Sequence, residues 1–335
     1  MDARQQGFSL AELMVVVVLL GVLVAGVMSS FTTQKKSVSV NSQIVDAQQS
    51  ARLLGDLLEE DIRHAGLLVP ESAALCGVDN TNAPDVLFVS DAAAIRPDDE
   101  INTSLGARIG GGSGLVGGNN VQSGVFTVDS LVLEQATPDP AYDTDADGTA
   151  DSDFRVGAGV IVTDAGNPTR GSACGTITAV NLAGPSVTVT LDSGALGALP
   201  GSPDPVDMVV VPAHVYRITG AMQLQRNGMT IAGDVEDLQV AVFVDLDDDR
   251  TIDVGEYRGD GVGANFDPSG TDMSLAREVR TNLVVRTRLD DPDNPNGRFQ
   301  DAENRAGPAG ADGFRRRTYS STVMLRNVGG RVSTV

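Results

Sequence analysis

The sequence is poor in aromatic residues, cysteine and histidine. It has no tryptophan, 4% aromatic residues, two cysteines and two histidines in 335 residues. The core of any folded domain must therefore rely on Val, Leu, Ile and Ala, and the hydrophobic content of 41% is sufficient for that. So few histidines, with no cysteine cluster, argue against a zinc site. Cys76 and Cys174 are too far apart for a CxxC motif; in an oxidising compartment they could form one disulfide, and the sequence alone leaves this pairing open.

Basic residues are also scarce. There are 24 Lys and Arg against 45 Asp and Glu, which gives a formal net charge of -21. A chain this acidic repels the phosphates of DNA and RNA, so we expect no nucleic-acid partner.

The known catalytic signatures are missing from the sequence. It contains no GxxxxGK[ST] phosphate loop, no HExxH zinc motif and no GxSxG nucleophile elbow. A membrane-tethered hydrolase would need a catalytic constellation, and none can be found. We therefore predict that the protein is not an enzyme.

The N-terminus carries a long apolar run. Phe8 to Met28 is 21 residues with no Lys or Arg and a single acid, Glu12. A helix of this length extends about 30 Å, which matches the hydrocarbon core of a bilayer. A secretory signal peptide would have a basic start, a shorter core and a small-residue cleavage site after that core, and this run fits poorly. A carboxylate within a membrane span is costly and usually marks a function or a partner.

The residues around this acid resemble a known signal. The segment Gly7-Phe8-Ser9-Leu10-Ala11-Glu12-Leu13 is similar to the class III signal of type IV pilins and pseudopilins. The resemblance implies that prepilin peptidase removes residues 1–7 as a leader by cutting after Gly7, and methylates the new N-terminal Phe8. It also implies that Glu12 pairs with the N-terminal amine of a neighbouring subunit, since a buried charge is tolerated when it meets an opposite one. The leader departs from the common pattern, because two glutamines rather than a basic residue precede the glycine.

A second helical pattern follows directly. Residues 29–66 contain no proline, and Gly66 is a candidate C-cap with Pro70 just beyond it. Apolar residues recur at steps of three and four, which predicts an amphipathic helix. This stripe consists of Val40, Ile44, Ala47, Ala51, Leu54, Leu58 and Ile62. We therefore predict one continuous helix, with a membrane-spanning half over 8–28 and an amphipathic half over 29–66.

The rest of the chain, residues 67–335, is predicted to be a β-rich globular head. Short runs of β-branched and apolar residues are separated by Gly- and Asp-rich loops, and several alternate with period two. The predicted strands are Val86–Val89, Val125–Leu133, Val156–Val162, Thr176–Val180, Val187–Leu191, Met208–Val211, Leu238–Val244, Leu283–Thr287 and Thr322–Leu325. The predicted fold class is α+β, with the long N-terminal helix packed on antiparallel sheet.

Three further segments resemble PilW-type minor pilins. They are the helix end Leu57–Gly66, the strand Val235–Asp245 and the terminal strand Tyr319–Asn327. Residues from about 73 to 200 show little that resembles this family, and we interpret them as a possible inserted β-rich region.

Two acidic loops have the spacing of a calcium site. Ca²⁺ binds six to eight oxygens, and a 12-residue loop can supply them from alternating positions. The first loop offers Asp245, Asp247, Asp249, Thr251 through its carbonyl, Asp253 and Glu256, although Arg250 stands where a glycine is usual. The second, weaker loop offers Asp143, Asp145, Asp147, Thr149 and Asp151. We predict a structural Ca²⁺, the alternative being acidic turns that only keep the domain soluble.

The resemblance implies a PilW-type minor pilin of a type IV pilus. Such a subunit is a single-pass protein of the inner membrane, with a periplasmic head before assembly and a place in the cell-surface pilus afterwards. Its expected partners are other major and minor pilins, prepilin peptidase and the inner-membrane assembly platform, and pili of this kind serve adhesion and motility. The large head favours a place in a tip complex that primes assembly. Two alternatives stay open: a pseudopilin of a type II secretion system, and a surface adhesin that uses the pilin anchor.

Overall fold

Within the residues that the structure describes, the chain forms one long helix followed by two antiparallel sheets. The computed structural model describes residues 9–67, 69–91, 107–108, 125–129, 155–164, 166–181, 186–191, 208–249, 251–253, 256–258, 271–291, 293–299, 301–307 and 310–328. The α+β layout predicted from the sequence is confirmed.

The helix α1 runs from Leu10 to His64, which is 55 residues or about 80 Å at 1.5 Å per residue. It begins at the N-cap Ser9 and ends at the C-cap Ala65. Gly66 follows with φ +79°, a backbone conformation that favours glycine. The predicted continuous helix is therefore present, and it contains no proline that would interrupt it.

The strands, in chain order, are β1 Leu75–Val78, β2 Val86–Ser90, β3 Ala107–Arg108, β4 Val125–Asp129, β5 Gly159–Asp164, β6 Ser172–Asn181, β7 Ser186–Leu191, β8 Met208–Ile218, β9 Leu224–Arg226, β10 Met229–Ala232, β11 Val235–Val244, β12 Tyr257–Arg258, β13 Ala276–Arg286 and β14 Arg316–Met324. In the larger sheet the order is β1-β2-β8-β5-β6-β7-β4, with β3 and β9 also pairing with β8 and β10 pairing with β9. The smaller sheet has the order β12-β11-β13-β14. Strands from within residues 73–200 thus share a sheet with β8, which lies after that range.

One hydrophobic core lies where α1 meets the smaller sheet. The predicted stripe faces this core: Val40 and Ile44 are half-buried, and the five later members, Ala47, Ala51, Leu54, Leu58 and Ile62, are buried. They pack with inward residues of the sheet such as Val240, Leu283 and Val323. The apolar residues that recur every 3.6 positions on the helix therefore pack against those that recur every second position on the strands, and together they form one apolar layer.

Close packing of helix on sheet depends on one glycine. A Cβ added to Gly55 would lie 2.0 Å from the ring of Tyr319, far inside van der Waals contact. The Tyr319 hydroxyl then donates to Glu59 on the same helix at 3.0 Å. The Tyr319 ring, from β14, thus packs directly against the backbone of α1 at Gly55.

Polar contacts tie α1 to the larger sheet as well. Asp61 accepts a hydrogen bond from the Tyr216 hydroxyl. It also accepts two from Arg226, at 2.9 Å from Nε and 3.1 Å from Nη2. Burial, together with the Asp61 carboxylate, raises the pKa of Tyr216, so this phenol stays a donor. These contacts hold the last turns of the helix against both sheets.

A buried carboxyl connects the two sheets. Asp85, which lies before β2, accepts hydrogen bonds from the backbone N–H groups of Asn80 and Val240, both at 2.8 Å. Its own N–H donates to the carbonyl of Leu238 at 2.8 Å. Asp85 is 1% exposed, and this burial raises its pKa to about 8.

Candidate functional site

The start of α1 is organised around Glu12. The backbone N–H of Ser9 donates to the Glu12 carboxylate at 3.0 Å, and the backbone N–H of Glu12 donates to the Ser9 hydroxyl at 3.2 Å. This is a capping box, in which two N–H groups that lack helical partners are satisfied. The predicted processing residues Gly7 and Phe8 lie outside the described residues. Glu12 is therefore placed at the first turn, with its carboxylate directed toward the N-terminal end of the helix.

The apolar residues that follow are uncovered. The large side chains of Leu10–Met28 have exposed fractions between 50% and 78%. An 18-residue window of this helix has a mean hydropathy of 2.8 and no buried residue. It is long and apolar enough to cross a membrane, and a helix buried in its own protein would not leave these side chains exposed. The helix thus suits a single-pass anchor.

The first acidic loop follows β11. Asp245 is fully buried, Asp247 and Asp249 are exposed, and one carboxylate oxygen of each lies within 4.8 Å of the others. The Asp249 N–H donates to Asp245 at 3.1 Å and to Asp247 at 3.3 Å. Asp248, between them, has φ +58°. The loop therefore turns sharply and brings three of the six predicted ligands together.

The other predicted ligands lie along the same loop. The Glu256 carboxylate accepts N–H bonds from Leu246 at 2.9 Å and from Asp253 at 2.8 Å, so it closes the loop through the backbone. The Thr251 N–H donates to Asp249 at 2.7 Å. Glu256 is thus turned to backbone donors, and the three converging carboxylates are the part of the loop that resembles a cation site.

A positively charged side chain of the protein itself lies beside this loop. Arg277, from β13, donates to Asp245 at 3.0 Å and to Asp248 at 2.6 Å. Partial desolvation and the carboxylates of Asp249, Glu256 and Asp245 raise the pKa of Asp247. Negative charge is therefore in excess here, although one arginine offsets part of it. The second acidic loop, from Asp143 to Asp153, lies outside the described residues.

The two cysteines form a disulfide. Cys76 in β1 and Cys174 in β6 have their Cα atoms 6.0 Å apart, and both are buried. These strands lie at separate positions in the larger sheet, so the sheet curls until β1 and β6 meet. The bond closes 98 residues of chain and stabilises this curled arrangement.

One polar cleft, between the end of α1 and the larger sheet, was not predicted from the sequence. Both histidines of the chain, His64 at the end of α1 and His214 in β8, line a cleft of about 390 Å³. Asp91 lies 3.2 Å from one ring nitrogen of His214, and the amide of Asn227 lies 2.9 Å from the other. These residues come from distant parts of the chain, and no spacing pattern connects them.

Comparison with known proteins bears on the N-terminus. Residues 2–28 match the family described as the Prokaryotic N-terminal methylation motif. No curated protein matches the chain. No solved structure matches it.

The motif supports a type IV pilin-like or pseudopilin-like protein. Pilin-type proteins with this signal are structural rather than enzymatic, and the helix followed by sheet suits them. The motif also implies processing by prepilin peptidase and assembly with other pilins. Together with the exposed apolar helix it indicates a membrane-anchored, single-pass protein.

Proposed function

We propose that this protein is a PilW-type minor pilin. In this proposal, prepilin peptidase cuts between Gly7 and Phe8, and Phe8 is methylated. The protein then leaves the inner membrane for the tip complex that primes a type IV pilus. The observation that carries the proposal is the motif match over residues 2–28, joined to one acid, Glu12, at the start of an otherwise uncharged exposed span.

The role of Glu12 follows from its surroundings. In a membrane its carboxylate lies near the hydrocarbon edge, where an unpaired charge is costly. The capping box satisfies part of its hydrogen-bonding capacity within the helix. A neighbouring subunit's N-terminal ammonium would supply the opposite charge, and this pairing would set the register between subunits.

Replacing Glu12 tests this role. Glu12→Gln keeps the size and removes the charge, so we expect several-fold less subunit in sheared surface filaments, measured by immunoblot against the amount in the membrane. Glu60→Gln is the matched control, because Glu60 is an exposed acid on the same helix and lies outside the apolar span. Equal incorporation of the Glu12→Gln variant and the wild type would contradict the proposal.

The type II secretion pseudopilin is the second candidate, because the same motif and helix suit it equally. Deleting the gene for this protein distinguishes the minor pilin from the pseudopilin. Loss of surface filaments supports the minor pilin, whereas normal filaments with a block in protein secretion support the pseudopilin.

We also propose that the first acidic loop binds a structural Ca²⁺. Three carboxylates from Asp245, Asp247 and Asp249 converge there, and oxygen ligands on a short turn are what Ca²⁺ requires. Binding to the folded state alone raises the melting temperature. We expect the melting temperature of the full chain in detergent to rise with Ca²⁺ and fall with chelator.

Two variants sharpen the calcium test. The double variant Asp247→Asn, Asp249→Asn should abolish the rise in melting temperature that Ca²⁺ causes. Arg277→Gln should increase it at low Ca²⁺, because Arg277 competes for Asp245. The same melting temperature with calcium and with chelator would refute the site.

A further inference from the structure

The strand β14 forms one edge of the smaller sheet. It pairs with β13 on one side, and among the residues that the structure describes no strand pairs with its other side. It has nine residues, or about 30 Å of extended chain, whereas β12 at the opposite edge has two. A free edge presents a row of backbone N–H and C=O groups that a further strand can bind.

The backbone groups on the open side of β14 follow from its pairing with β13. The N–H of Leu325, directly after β14, donates to the carbonyl of Arg277 at 2.8 Å. Because hydrogen-bonding groups point to alternate sides of a strand, those of Ser320, Thr322 and Met324 point away from β13. All three residues are exposed. Three N–H and three C=O groups are therefore accessible to an added strand.

This edge lacks the features that usually protect an edge strand. Proteins block such edges with proline, with a β-bulge or with charged side chains, lysine above all. β14 has no proline and no lysine, and its two arginines lie together at its start. Its register with β13 is regular, without a bulge. The seven residues from Thr318 to Met324 are uncharged. The edge is therefore suited to strand pairing.

A second copy of this chain fits the edge poorly. When the same edge strand of two copies pairs around a two-fold axis, the two strands are antiparallel. That rotation also reverses α1, which packs on the same sheet, so the two anchors would point in opposite directions. Copies of one protein insert into a membrane with a single orientation. Pairing with β12 of a second copy would cover two residues only. The occupant that fits is therefore a segment of a different chain.

The surroundings of the edge indicate the chemistry of that segment. Alternate side chains of an added strand would face α1, as Tyr319 and Ser321 do, since both hydroxyls donate to Glu59. Burial and the carboxylates of Glu59 and Asp56 raise the pKa of Tyr319, while Arg52 acts in the opposite direction. Carboxylates thus outnumber cations on this side of β14, and they favour basic side chains on an incoming strand.

We propose that the outer edge of β14 binds an extended segment of another polypeptide as an additional strand. The backbone groups of Ser320, Thr322 and Met324 bind its main chain. Its side chains are β-branched, because they lie beside the hydroxyls of Ser320 and Thr322. They are neutral or basic rather than acidic, because the chain has a net charge of -21. This contact involves the head alone, so it goes beyond leader removal and anchoring.

The test uses the full chain in detergent with three synthetic peptides. Lys-Thr-Val-Thr-Val-Thr-Lys has the proposed chemistry, Glu-Thr-Val-Thr-Val-Thr-Glu reverses its charge, and Lys-Thr-Pro-Thr-Pro-Thr-Lys lacks the N–H groups that a strand needs. Hydrogen–deuterium exchange with mass spectrometry follows the amides of β14. We expect the first peptide, at millimolar concentration, to lower deuterium uptake there by up to about three amides, the number that point outward. The second should bind several-fold more weakly, and the third should have no effect.

Variants of the edge provide the controls. Ser320→Pro removes one outward N–H that the pairing with β13 does not use, and proline is tolerated on the open side of an edge strand. It should abolish the effect of the first peptide, and Thr322→Pro should do the same. Ser320→Thr is the matched control, because it keeps the N–H and should leave the protection unchanged. Circular dichroism and the melting temperature of each variant check that the head is folded.

Three results would overturn the proposal. The first is unchanged deuterium uptake of the wild type with the first peptide. The second is equal protection in the folded proline variants and the wild type. The third is protection of the outward amides without any peptide: protection that dilution removes would assign the edge to a second copy, and protection that persists would assign it to another part of this chain. None of these results depends on leader cleavage or on entry into a filament, so the proposal can fail while the proposed function stands.

Discussion

The two halves of α1 both carry many apolar side chains, but their surroundings differ. From Leu10 to Met28 nearly every position is apolar, and the large side chains are at least half exposed. From Ala47 to Ile62 the apolar residues form a stripe, and that stripe is buried against sheet. A helix that is apolar all round requires an apolar solvent, whereas a stripe requires only one packed face. One continuous element therefore serves two environments.

The transition between the halves is marked by charge. No ionisable residue lies between Glu12 and Lys35, while the sheet-bound half has acids and arginines off its stripe. Contacts of Asp61 and Glu59 with the sheets then add directional hydrogen bonds to the apolar packing. Mutations in the two halves should accordingly affect different properties: stability of the head in one, and insertion or assembly in the other.

The largest expected effect comes from removing a buried leucine of the stripe. Leu58 is 0% exposed, so Leu58→Ala should lower the free energy of unfolding of the head by about 2–5 kcal/mol through lost burial and a cavity. Leu53→Ala is the matched control, because Leu53 lies on the same helix half and is 70% exposed. Denaturant unfolding of the full chain in detergent, followed by circular dichroism, measures both. Similar losses in the two variants would mean that the stripe does not carry the packing.

A smaller effect is expected from adding one methyl group to the helix. Gly55→Ala must displace the Tyr319 ring and should cost about 1–3 kcal/mol, despite the better helix propensity of alanine. Gly26→Ala has no neighbour within 4 Å and should leave the stability of the head unchanged. The same unfolding experiment applies. A gain in stability from Gly55→Ala would show that α1 lies further from β14 than described.

Taken over a single pH unit, the smallest expected effect is a pH dependence confined to the head. The pKa of Asp85 is raised to about 8, from an ordinary value of about 3.9 when unfolded. Between these values the folded state holds the extra proton, so stability from this group is complete below the unfolded pKa and is lost as pH rises through about 8. We expect a loss of no more than about 1.4 kcal/mol between pH 6 and pH 7.

Asp85→Asn isolates this effect, since the variant has no proton to lose at this position. Unfolding curves of the two proteins across pH 5–8 should show a steeper decline in the wild type. Parallel curves would mean that Asp85 is ionised throughout this range.

Local patterns were enough to predict the helix and most strands. The stripe from Ala47 to Ile62 has the helical period, and each predicted strand coincides at least in part with an observed one within the described residues. The β9–β10 hairpin was missed because its strands are short and partly polar. A signal was nevertheless present in Asn227-Gly228, both with positive φ, since this dipeptide is typical of tight hairpin turns.

Contacts between distant residues could not be predicted from local patterns. The basic run Arg315–Arg317 is an example, because its three arginines differ in burial although they are adjacent in sequence. The Arg316 side chain is 2% exposed and pairs with Glu236 at 2.5 Å, a partner 80 residues away. The start of β14 was not predicted because a run of charged residues is typical of a loop, and the partner that allows Arg316 to be buried is distant in sequence. The cleft with both histidines was missed for the same reason, and the pairing of Cys76 with Cys174 could be named from the sequence only as a possibility.

The central claim is that the first half of α1 is a processed pilin-type anchor. The most direct measurement is the intact mass of the protein from cells with and without prepilin peptidase. The account predicts that residues 1–7 are lost and one methyl group is gained on Phe8, and only when the peptidase is present. Retention of the leader in both strains, or a cut beyond Met28, would contradict it and leave an ordinary anchored or secreted protein.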